Sequence, residues 1–239
     1  MAKPRFEILD YLDTPLGPLC LRRRDLLSQP GVEVTEVTLD HELLMSSLNV
    51  VSEEALATHA LAWHGGPGPH DVLVGGLGLG YTAHAALRDP RVAQVTVIEA
   101  LPAVIGWLRE GLIPLAPTLN EDLALTVTEA DVYALLLEPP EQTWDLLLID
   151  VDHSPSEPLG PTSARFYTPE GLTRVAEHLN PGGVLAVWSA GVGDDDWFTE
   201  NLAAVFAEAL AEPVRWENPL VDQGQTIDDT LFLGRKARG

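Results

Sequence analysis

Residues 71–81 read DVLVGGLGLGY, a short apolar run followed directly by four glycines. The apolar run predicts a buried β-strand, and Gly75, Gly76, Gly78 and Gly80 lie where that strand ends. Glycine has no Cβ and adopts positive φ readily, so a ligand can approach the backbone closely at such a turn. Glycine also permits tight packing of a helix against a strand, and this stretch alone leaves both interpretations open.

Apolar segments of strand length alternate with helix-like segments on both sides of this stretch. Further strands are predicted at 94–100, 123–131, 144–150 and 184–190, and helices at 81–89, 101–112, 132–138, 168–180 and 194–210. Strands that are apolar on both faces and alternate with helices predict a parallel sheet covered on both sides. The fold class is therefore α/β, a Rossmann-like doubly wound sheet, and 213–218 with 230–235 add a C-terminal antiparallel hairpin.

The first 52 residues have a different pattern. Strand-like runs at 5–14, 18–26 and 32–45 are separated by turn residues, which predicts a small N-terminal β-hairpin or meander domain. Ser52 is a suitable N-cap for a following helix, with Glu53 and Glu54 in its first turn. We place the domain boundary there, with a β domain at 1–52 and a nucleoside-binding domain at 53–239.

Composition restricts the partners that the chain can bind. The 239 residues include 36 acidic and 14 basic side chains, a formal charge of −22, and the one dense basic run is at 22–24. We expect no nucleic-acid partner. The negative electrostatic field of the chain would concentrate a cationic substrate such as a polyamine near its surface; alternatively, the charge serves solubility alone. A lone cysteine, Cys20, offers no metal-ligand spacing, and no apolar segment approaches the length of a membrane helix. A cytoplasmic protein without a metal or membrane partner is expected.

Acidic side chains close the strands that follow the glycine turn. Glu99 ends the second strand, Asp131 the third, and Asp150, Asp152 and His153 follow the fourth. Open α/β sheets bind ligands at the carboxyl ends of their strands, where an acid at the position of Glu99 accepts both hydroxyls of a ribose. Asp131 is expected within reach of an adenine amino group. The G-x-G-x-G spacing favours a nucleoside without phosphates over a dinucleotide.

With these residues the chain resembles the class I S-adenosylmethionine-dependent methyltransferase fold and, more narrowly, the polyamine aminopropyltransferase (spermidine synthase) family. The likeness covers nearly the whole chain and rests on GGLGLG (75–80), VIEALPAV (97–104), EADVYALL (129–136), LLLIDVDHSPSEPLGP (146–161), RFYTPEGL (165–172) and LNPGGVLAV (179–187). The resemblance implies a donor, S-adenosylmethionine or its decarboxylated form, held by the glycines, Glu99 and Asp131. It implies that Asp150 receives a proton from the attacking amine, and it places Tyr167 at the substrate.

Three departures mark a divergent branch of this family. Leu79 stands where the family's glycine loop carries an acid for the ammonium of the aminopropyl tail. His153 stands at the family's second acid position, with Asp152 beside it. The segment 45–56, MSSLNVVSEEAL, lacks the Gln, Tyr and His of the corresponding family motif.

Three functions remain open at this point. The first is aminopropyl transfer from decarboxylated S-adenosylmethionine to a polyamine or another amine, with Asp150 as the base and Asp152 and His153 as further catalytic candidates. The second is methyl transfer from S-adenosylmethionine, and the third is a non-catalytic protein that binds a nucleoside or polyamine. Two of these residues also have a non-catalytic interpretation: Asp150 could cap backbone N–H groups, and His153 could be a hydrogen-bonding group on the surface. We expect a homodimer, as in the family.

Overall fold

Two β-sheets organise the chain, one antiparallel and one mostly parallel. The computed structural model describes residues 4–14, 16–193, 195–217 and 226–239. The strands are β1 (Phe6–Thr14), β2 (Gly17–Asp25), β3 (Glu33–Leu39), β4 (Glu42–Ser46), β5 (His70–Gly75), β6 (Val92–Glu99), β7 (Leu125–Glu129), β8 (Trp144–Ile149), β9 (Leu179–Ala190), β10 (Glu208–Glu217) and β11 (Thr226–Arg235). The helices are α1 (Val51–His64), α2 (Tyr81–Leu87), α3 (Pro102–Arg109), α4 (Ala116–Leu119), α5 (Val132–Leu137), α6 (Pro161–Phe166), α7 (Pro169–Glu177) and α8 (Asp196–Val205).

The N-terminal sheet is a four-stranded antiparallel meander in the order β1-β2-β3-β4. The segment predicted as one run at 32–45 is a hairpin, because Asp40 and His41 turn the chain with φ values of 48° and 68°. Such left-handed conformations are uncommon outside glycine, although Asp and His are among the residues that tolerate them. The predicted meander at the N-terminus is confirmed.

The large sheet has the strand order β10-β11-β9-β8-β5-β6-β7. β5, β6, β7, β8 and β9 run parallel, and β11 pairs antiparallel with both β9 and β10. From β5 the chain first builds outward through β6 and β7, then returns to add β8 on the other side of β5. The order therefore reverses between β5 and β8, which is where open α/β sheets form ligand crevices. The predicted α/β doubly wound fold with a C-terminal antiparallel hairpin is confirmed.

Apolar cores cover both faces of the large sheet. Helices α1, α2 and α3 and the N-terminal sheet enclose one core, into which Val72 and Val74 of β5 point. The other core lies under α5, α6, α7 and α8 and receives Leu73 of the same strand. Alternate residues of one strand are thus buried on opposite faces, as a sandwiched parallel strand requires. Among the residues described, none of the helices has both the length and the apolar character needed to cross a bilayer.

In two places a strand begins within a predicted helix. The prediction of helix to residue 210 is wrong, since α8 ends at Val205 and β10 begins at Glu208. Residues 208–217 pair with β11 along their whole length, and this ladder outweighs the modest helix preference of the segment. Helix α7 likewise ends at Glu177, because Leu179 already opens β9. Asp194, predicted at the start of α8, lies outside the described residues.

The predicted N-cap at Ser52 is also wrong. Helix α1 begins at Val51 after Val50, and the Ser52 hydroxyl donates to the Glu53 carboxylate at 3.0 Å instead of capping the helix. The change from antiparallel meander to alternating elements lies between Ser46 and Val51. The domain boundary at residue 52 stays a prediction.

Candidate functional site

The glycine turn after β5 is shaped by the protein's own backbone. Gly75 ends β5, and Gly76, Gly78 and Gly80 follow with φ values of 92°, 51° and 89°. A Cβ on Gly76 would lie 2.3 Å from the carbonyl oxygen of Asp150, so only glycine allows the loop after β5 to pass this close to the loop after β8. Gly76 therefore has a structural reason to be glycine, independent of any ligand.

Glu99 lies behind this turn, at the end of β6. Its side chain is buried, and its two carboxylate oxygens accept hydrogen bonds from the backbone N–H groups of Leu77 and Leu101, both at 2.8 Å. Burial raises the pKa of Glu99, and the surrounding backbone N–H groups oppose that rise. The acid predicted to bind a ribose thus links the glycine turn to the loop after β6.

Asp150 follows β8 directly beside the turn. Its carboxylate accepts a hydrogen bond of 2.8 Å from the Thr82 hydroxyl, in the first turn of α2. Burial, with the nearby charge of Asp229, raises the pKa of Asp150 to about 6 against the hydrogen bond from Thr82. A carboxyl group with such a pKa is suited to exchange protons near neutral pH.

A second acid, Glu53, faces the same place from the start of α1. Burial first, and then the charge of Asp150, raise the pKa of Glu53 to about 7, and Asp229 adds to the effect. Asp229 lies buried on β11, where it accepts a hydrogen bond of 2.7 Å from the Trp216 indole. We call Glu53, Asp150 and Asp229 the acid cluster. The charges of Asp150 and Asp229 disfavour the ionisation of Glu53, and a group of acids of this kind is a place where a cation binds favourably.

Asp152 is separated from the acid cluster although it is two residues from Asp150. It is 2% exposed, and one oxygen accepts hydrogen bonds from the hydroxyls of Tyr133 and Tyr167, each at 2.8 Å. The other oxygen accepts the N–H of Leu159 at 2.9 Å. Burial, with the Asp152 charge among the causes, raises the pKa of both tyrosines. Asp152 and Tyr167 therefore form a buried network that holds the loop after β8.

The two remaining predicted site residues lie on the surface. His153 has a side chain that is 68% exposed, 3.8 Å from the carboxylate of Glu157. Asp131 caps α5, where one carboxylate oxygen accepts the N–H groups of Tyr133 at 2.9 Å and Ala134 at 3.2 Å. The roles predicted for His153 in catalysis and for Asp131 at an adenine stay predictions.

Comparisons with known proteins find polyamine enzymes that share this fold. No family model matches the chain. A spermidine synthase from Thermotoga maritima superposes with a TM-score of 0.71 at 15% identity, covering 97% of this chain and 73% of that one. A spermidine synthase in complex with the transition state analogue AdoDATO superposes with a TM-score of 0.72 at 17% identity, covering 97% and 74%. The chain has the spermidine synthase fold.

Sequence relatives are similar over a shorter stretch. Putrescine N-methyltransferase 2 from Nicotiana tabacum is 30% identical over 119 residues, which is 50% of this chain and 32% of that protein. Polyamine aminopropyltransferase 2 from Streptomyces coelicolor is 33% identical over 141 residues, 57% of this chain and 24% of that protein. The chain thus spans about a third or less of the length of these two relatives. The predicted resemblance to polyamine aminopropyltransferases is confirmed.

The spermidine synthase fold implies a nucleoside donor at the glycine turn, and the packed side chains do not leave room for one. A Cβ on Gly78 would lie 2.3 Å from the methyl carbon of Met45, and one on Gly80 would lie 2.5 Å from Leu119. The cavity left beside Gly76, Thr82 and Asp150 is about 10 Å³, which holds roughly one water molecule. Small-molecule sites measure about 300–1,000 Å³. The residue types suit a nucleoside, which can enter only when Met45 and Leu119 move away from the turn.

Sequence reasoning missed two members of the acid cluster. The sequence predicts Glu53 as an acid in the first turn of a helix, and the structure places it there in α1. That prediction does not include its position beside Asp150. The available signal was the partial match of segment 45–56 to the acidic family motif. Asp229 gave no signal, because an acid within a C-terminal hairpin has no local feature that connects it with residues 53 and 150.

Proposed function

We propose that this spermidine synthase fold binds a small aliphatic amine at the acid cluster and transfers a carbon group to it from a donor of the S-adenosylmethionine type. The observation that carries the proposal is that Glu53 and Asp150 face each other at the carboxyl edge of the parallel strands with Asp229 of β11 nearby, and that the pKa is raised to about 7 for Glu53 and about 6 for Asp150. Relatives named putrescine N-methyltransferase and polyamine aminopropyltransferase support the proposal, and they favour a role of this protein in polyamine metabolism.

The acid cluster explains how an amine could be both attracted and activated. An aliphatic amine has a pKa of about 10 and arrives as a cation, whereas only its neutral form has a lone pair for attack. In our proposal Glu53 holds the ammonium, and the Asp150 carboxylate, oriented by Thr82, accepts the proton that the nitrogen releases. Binding of the cation lowers the pKa of both acids and relieves the repulsion between them.

The donor stays a separate question. Aminopropyl and methyl transfer both remain candidates, and Leu79, in place of the family's acid, is buried in the core and provides no counter-ion for an aminopropyl ammonium. No step is derived for the donor, since Met45 and Leu119 occupy the turn. Glu53 and Asp150 line the same cavity of about 10 Å³, so an amine must also displace Met45 to reach the acid cluster. A small amine needs less of this displacement than a nucleoside, which favours a second candidate function, an amine-binding protein without transfer activity.

Calorimetric titration with putrescine tests the amine site first. We expect binding by the unmodified chain, a loss of at least about tenfold in affinity in Asp150→Asn and in Glu53→Gln, and no change in Glu54→Gln, which removes a neighbouring charge from the same helix turn. Equal affinities in all four proteins would place the amine elsewhere and end the proposal.

Incubation with putrescine and either donor then separates the candidates. Mass spectrometry identifies a methylated or an aminopropylated product, and Asp150→Asn is expected to abolish its formation. Putrescine binding without binding of either nucleoside would select the non-catalytic function. Transfer activity that survives in Asp150→Asn would refute the assignment of the base.

We also infer a homodimer that pairs through the N-terminal sheet. Support comes from large apolar side chains that are more than half exposed on β1 and β4, namely Phe6, Ile8, Tyr11 and Leu43. Light scattering during size-exclusion chromatography should give twice the mass of 25.9 kDa. A mass of one chain would contradict the inference. The cytoplasmic location and the lack of a nucleic-acid partner stay predictions.

A further inference from the structure

Two histidines and an aspartate meet at the amino edge of the parallel sheet, at the opposite end of its strands from the acid cluster. His64 is the last residue of α1, His70 the first of β5, and Asp145 the second of β8. One potential ligand atom from each of the three residues lies within 4.8 Å of the other two. β5 and β8 are adjacent parallel strands, so the sheet itself holds His70 close to Asp145.

The His70 ring has one nitrogen without a close partner. Its side chain is 4% exposed, and Nε2 lies 3.2 Å from the carbonyl oxygen of Gly66. A carbonyl oxygen can only accept, so Nε2 carries the proton of the neutral ring and Nδ1 retains its lone pair. Nδ1 faces a carboxylate oxygen of Asp145 at 3.9 Å, too far for a direct hydrogen bond. Two acceptors that face each other across this gap would be stabilised by a cation between them.

Hydrogen bonds fix the orientation of the other two side chains. The oxygens of Asp145 accept the backbone N–H of Asp71 and the side-chain amide of Asn180, each at 2.9 Å. Hydrogen bonds of this kind to a ligating carboxylate orient it toward a metal ion. His64 Nδ1 accepts a hydrogen bond of 3.3 Å from the backbone N–H of Gly66. This long bond must break when the ring binds a metal, because a neutral imidazole has only one nitrogen lone pair.

Gly66 leaves the space in which the two imidazoles meet. A Cβ on this residue would lie 2.9 Å from Cε1 of His64 and 3.0 Å from Cε1 of His70. The rings pack edge to face, with centroids 4.4 Å apart. The chain between α1 and β5 is therefore built so that these two side chains approach each other.

We propose that His64, His70 and Asp145 bind one Zn²⁺ ion and leave a fourth position for water. Two imidazoles and a carboxylate are ligands that zinc accepts, at about 2.0–2.2 Å. Ligand atoms on one tetrahedral ion lie about 3.4 Å apart, so side-chain rotations that move each atom by about 1 Å complete the site. The ion would fix the end of α1, the helix that begins beside Glu53, to the edge of the sheet. This contradicts the expectation, based on sequence spacing, that the chain binds no metal.

The charges around the cluster are compatible with a cation. Arg235 lies close to His64, and its guanidinium is already engaged, since it donates to the carbonyl oxygens of Trp63 and His64 and pairs with Glu208.

Titration of the chelator-treated full chain with Zn²⁺ tests the site. The variants are His64→Gln and His70→Gln, and the control is His59→Gln, which changes a partly exposed histidine of the same helix. We expect one ion per chain, an affinity at least about 100-fold lower in both variants, and no change in the control. Co²⁺ in place of Zn²⁺ should give the visible absorption of a tetrahedral site in the unmodified chain and in the control only.

The outcomes distinguish this site from loose binding to an acidic surface. Several weakly bound ions, no bound ion, or equal affinity in His64→Gln would overturn the proposal. His70 is buried, so circular dichroism of the zinc-free variants must show a folded chain. If His70→Gln fails to fold, the half-buried His64 decides the result. The proposal does not depend on transfer activity, because binding and absorption are measured without donor or amine.

Discussion

Replacement of Glu53 by glutamine should stabilise the free protein at high pH while it weakens amine binding. The pKa of Glu53 is raised from 4.5 to about 7, chiefly by burial and by the charge of Asp150. A carboxyl group with a raised pKa contributes stability below its unfolded-state pKa, and that contribution is lost as the pH rises through the folded-state value. Glutamine does not titrate, so the variant avoids this loss.

The size of the effect follows from the shift. A rise from 4.5 to about 7 corresponds to about 3 kcal/mol at pH 8. Glu53 is partly exposed and shares the effect with Asp150, so about 2 kcal/mol is a more realistic value. For a chain of this length, that corresponds to a rise in melting temperature of about 4–8 °C.

Thermal and urea unfolding at several pH values, without amine, measure this difference. We expect the stability of Glu53→Gln relative to the unmodified chain to increase by about 2 kcal/mol between pH 4.5 and pH 8. Glu54→Gln is the matched control, because its carboxyl group lies one residue along the same helix, outside the acid cluster. A difference in unfolding free energy that does not vary with pH would refute the reasoning. So would the same pH dependence in Glu54→Gln.

Three further substitutions test the packing around the site. Gly76→Ala should lower the unfolding free energy by about 3 kcal/mol or more in urea titrations, because φ is 92° and a carbonyl oxygen lies 2.3 Å from the added Cβ. The control Gly106→Ala adds a Cβ in open space on α3 and should leave the unfolding free energy unchanged or raise it. An equal loss of unfolding free energy in both variants would contradict this account. Met45→Ala should bind 5′-methylthioadenosine about tenfold more tightly by calorimetry, whereas Leu43→Ala on the same strand should not. Asp152→Asn should lose about 2–4 kcal/mol of stability, since it weakens hydrogen bonds from two buried phenols to a carboxylate; a neutral result would show that these bonds contribute nothing.

The arrangement of the large sheet could be predicted because its signal is local and repeated. Apolar strand segments, the glycine turn and the acids at strand ends recur at short intervals, and each indicates the same edge of a parallel sheet. The end of α8 could not be predicted in this way, because residues 208–210 have acceptable helix propensity. They join a strand only through their partner β11, more than fifteen residues away.

The candidate site was only partly predictable, for a related reason. Asp150 and Glu99 were placed correctly at strand ends, but no sequence feature indicates that the Glu99 oxygens bind backbone N–H groups of the turn. The contact of Met45 with Gly78 joins two different sheets, and the cluster of His64, His70 and Asp145 joins a helix end to two strands. Contacts of this kind depend on the tertiary arrangement and leave no periodic pattern.

The side chain over the glycine turn belongs to a strand of the other sheet. Any molecule that enters beside Gly78 must first displace Met45 from β4, so its observed affinity is reduced by the fraction of chains in which the turn is open. An exchange of one apolar residue on β4 would change that fraction without altering a single donor contact. A residue outside the Rossmann-like sheet therefore sets the concentration at which a nucleoside can occupy the glycine turn.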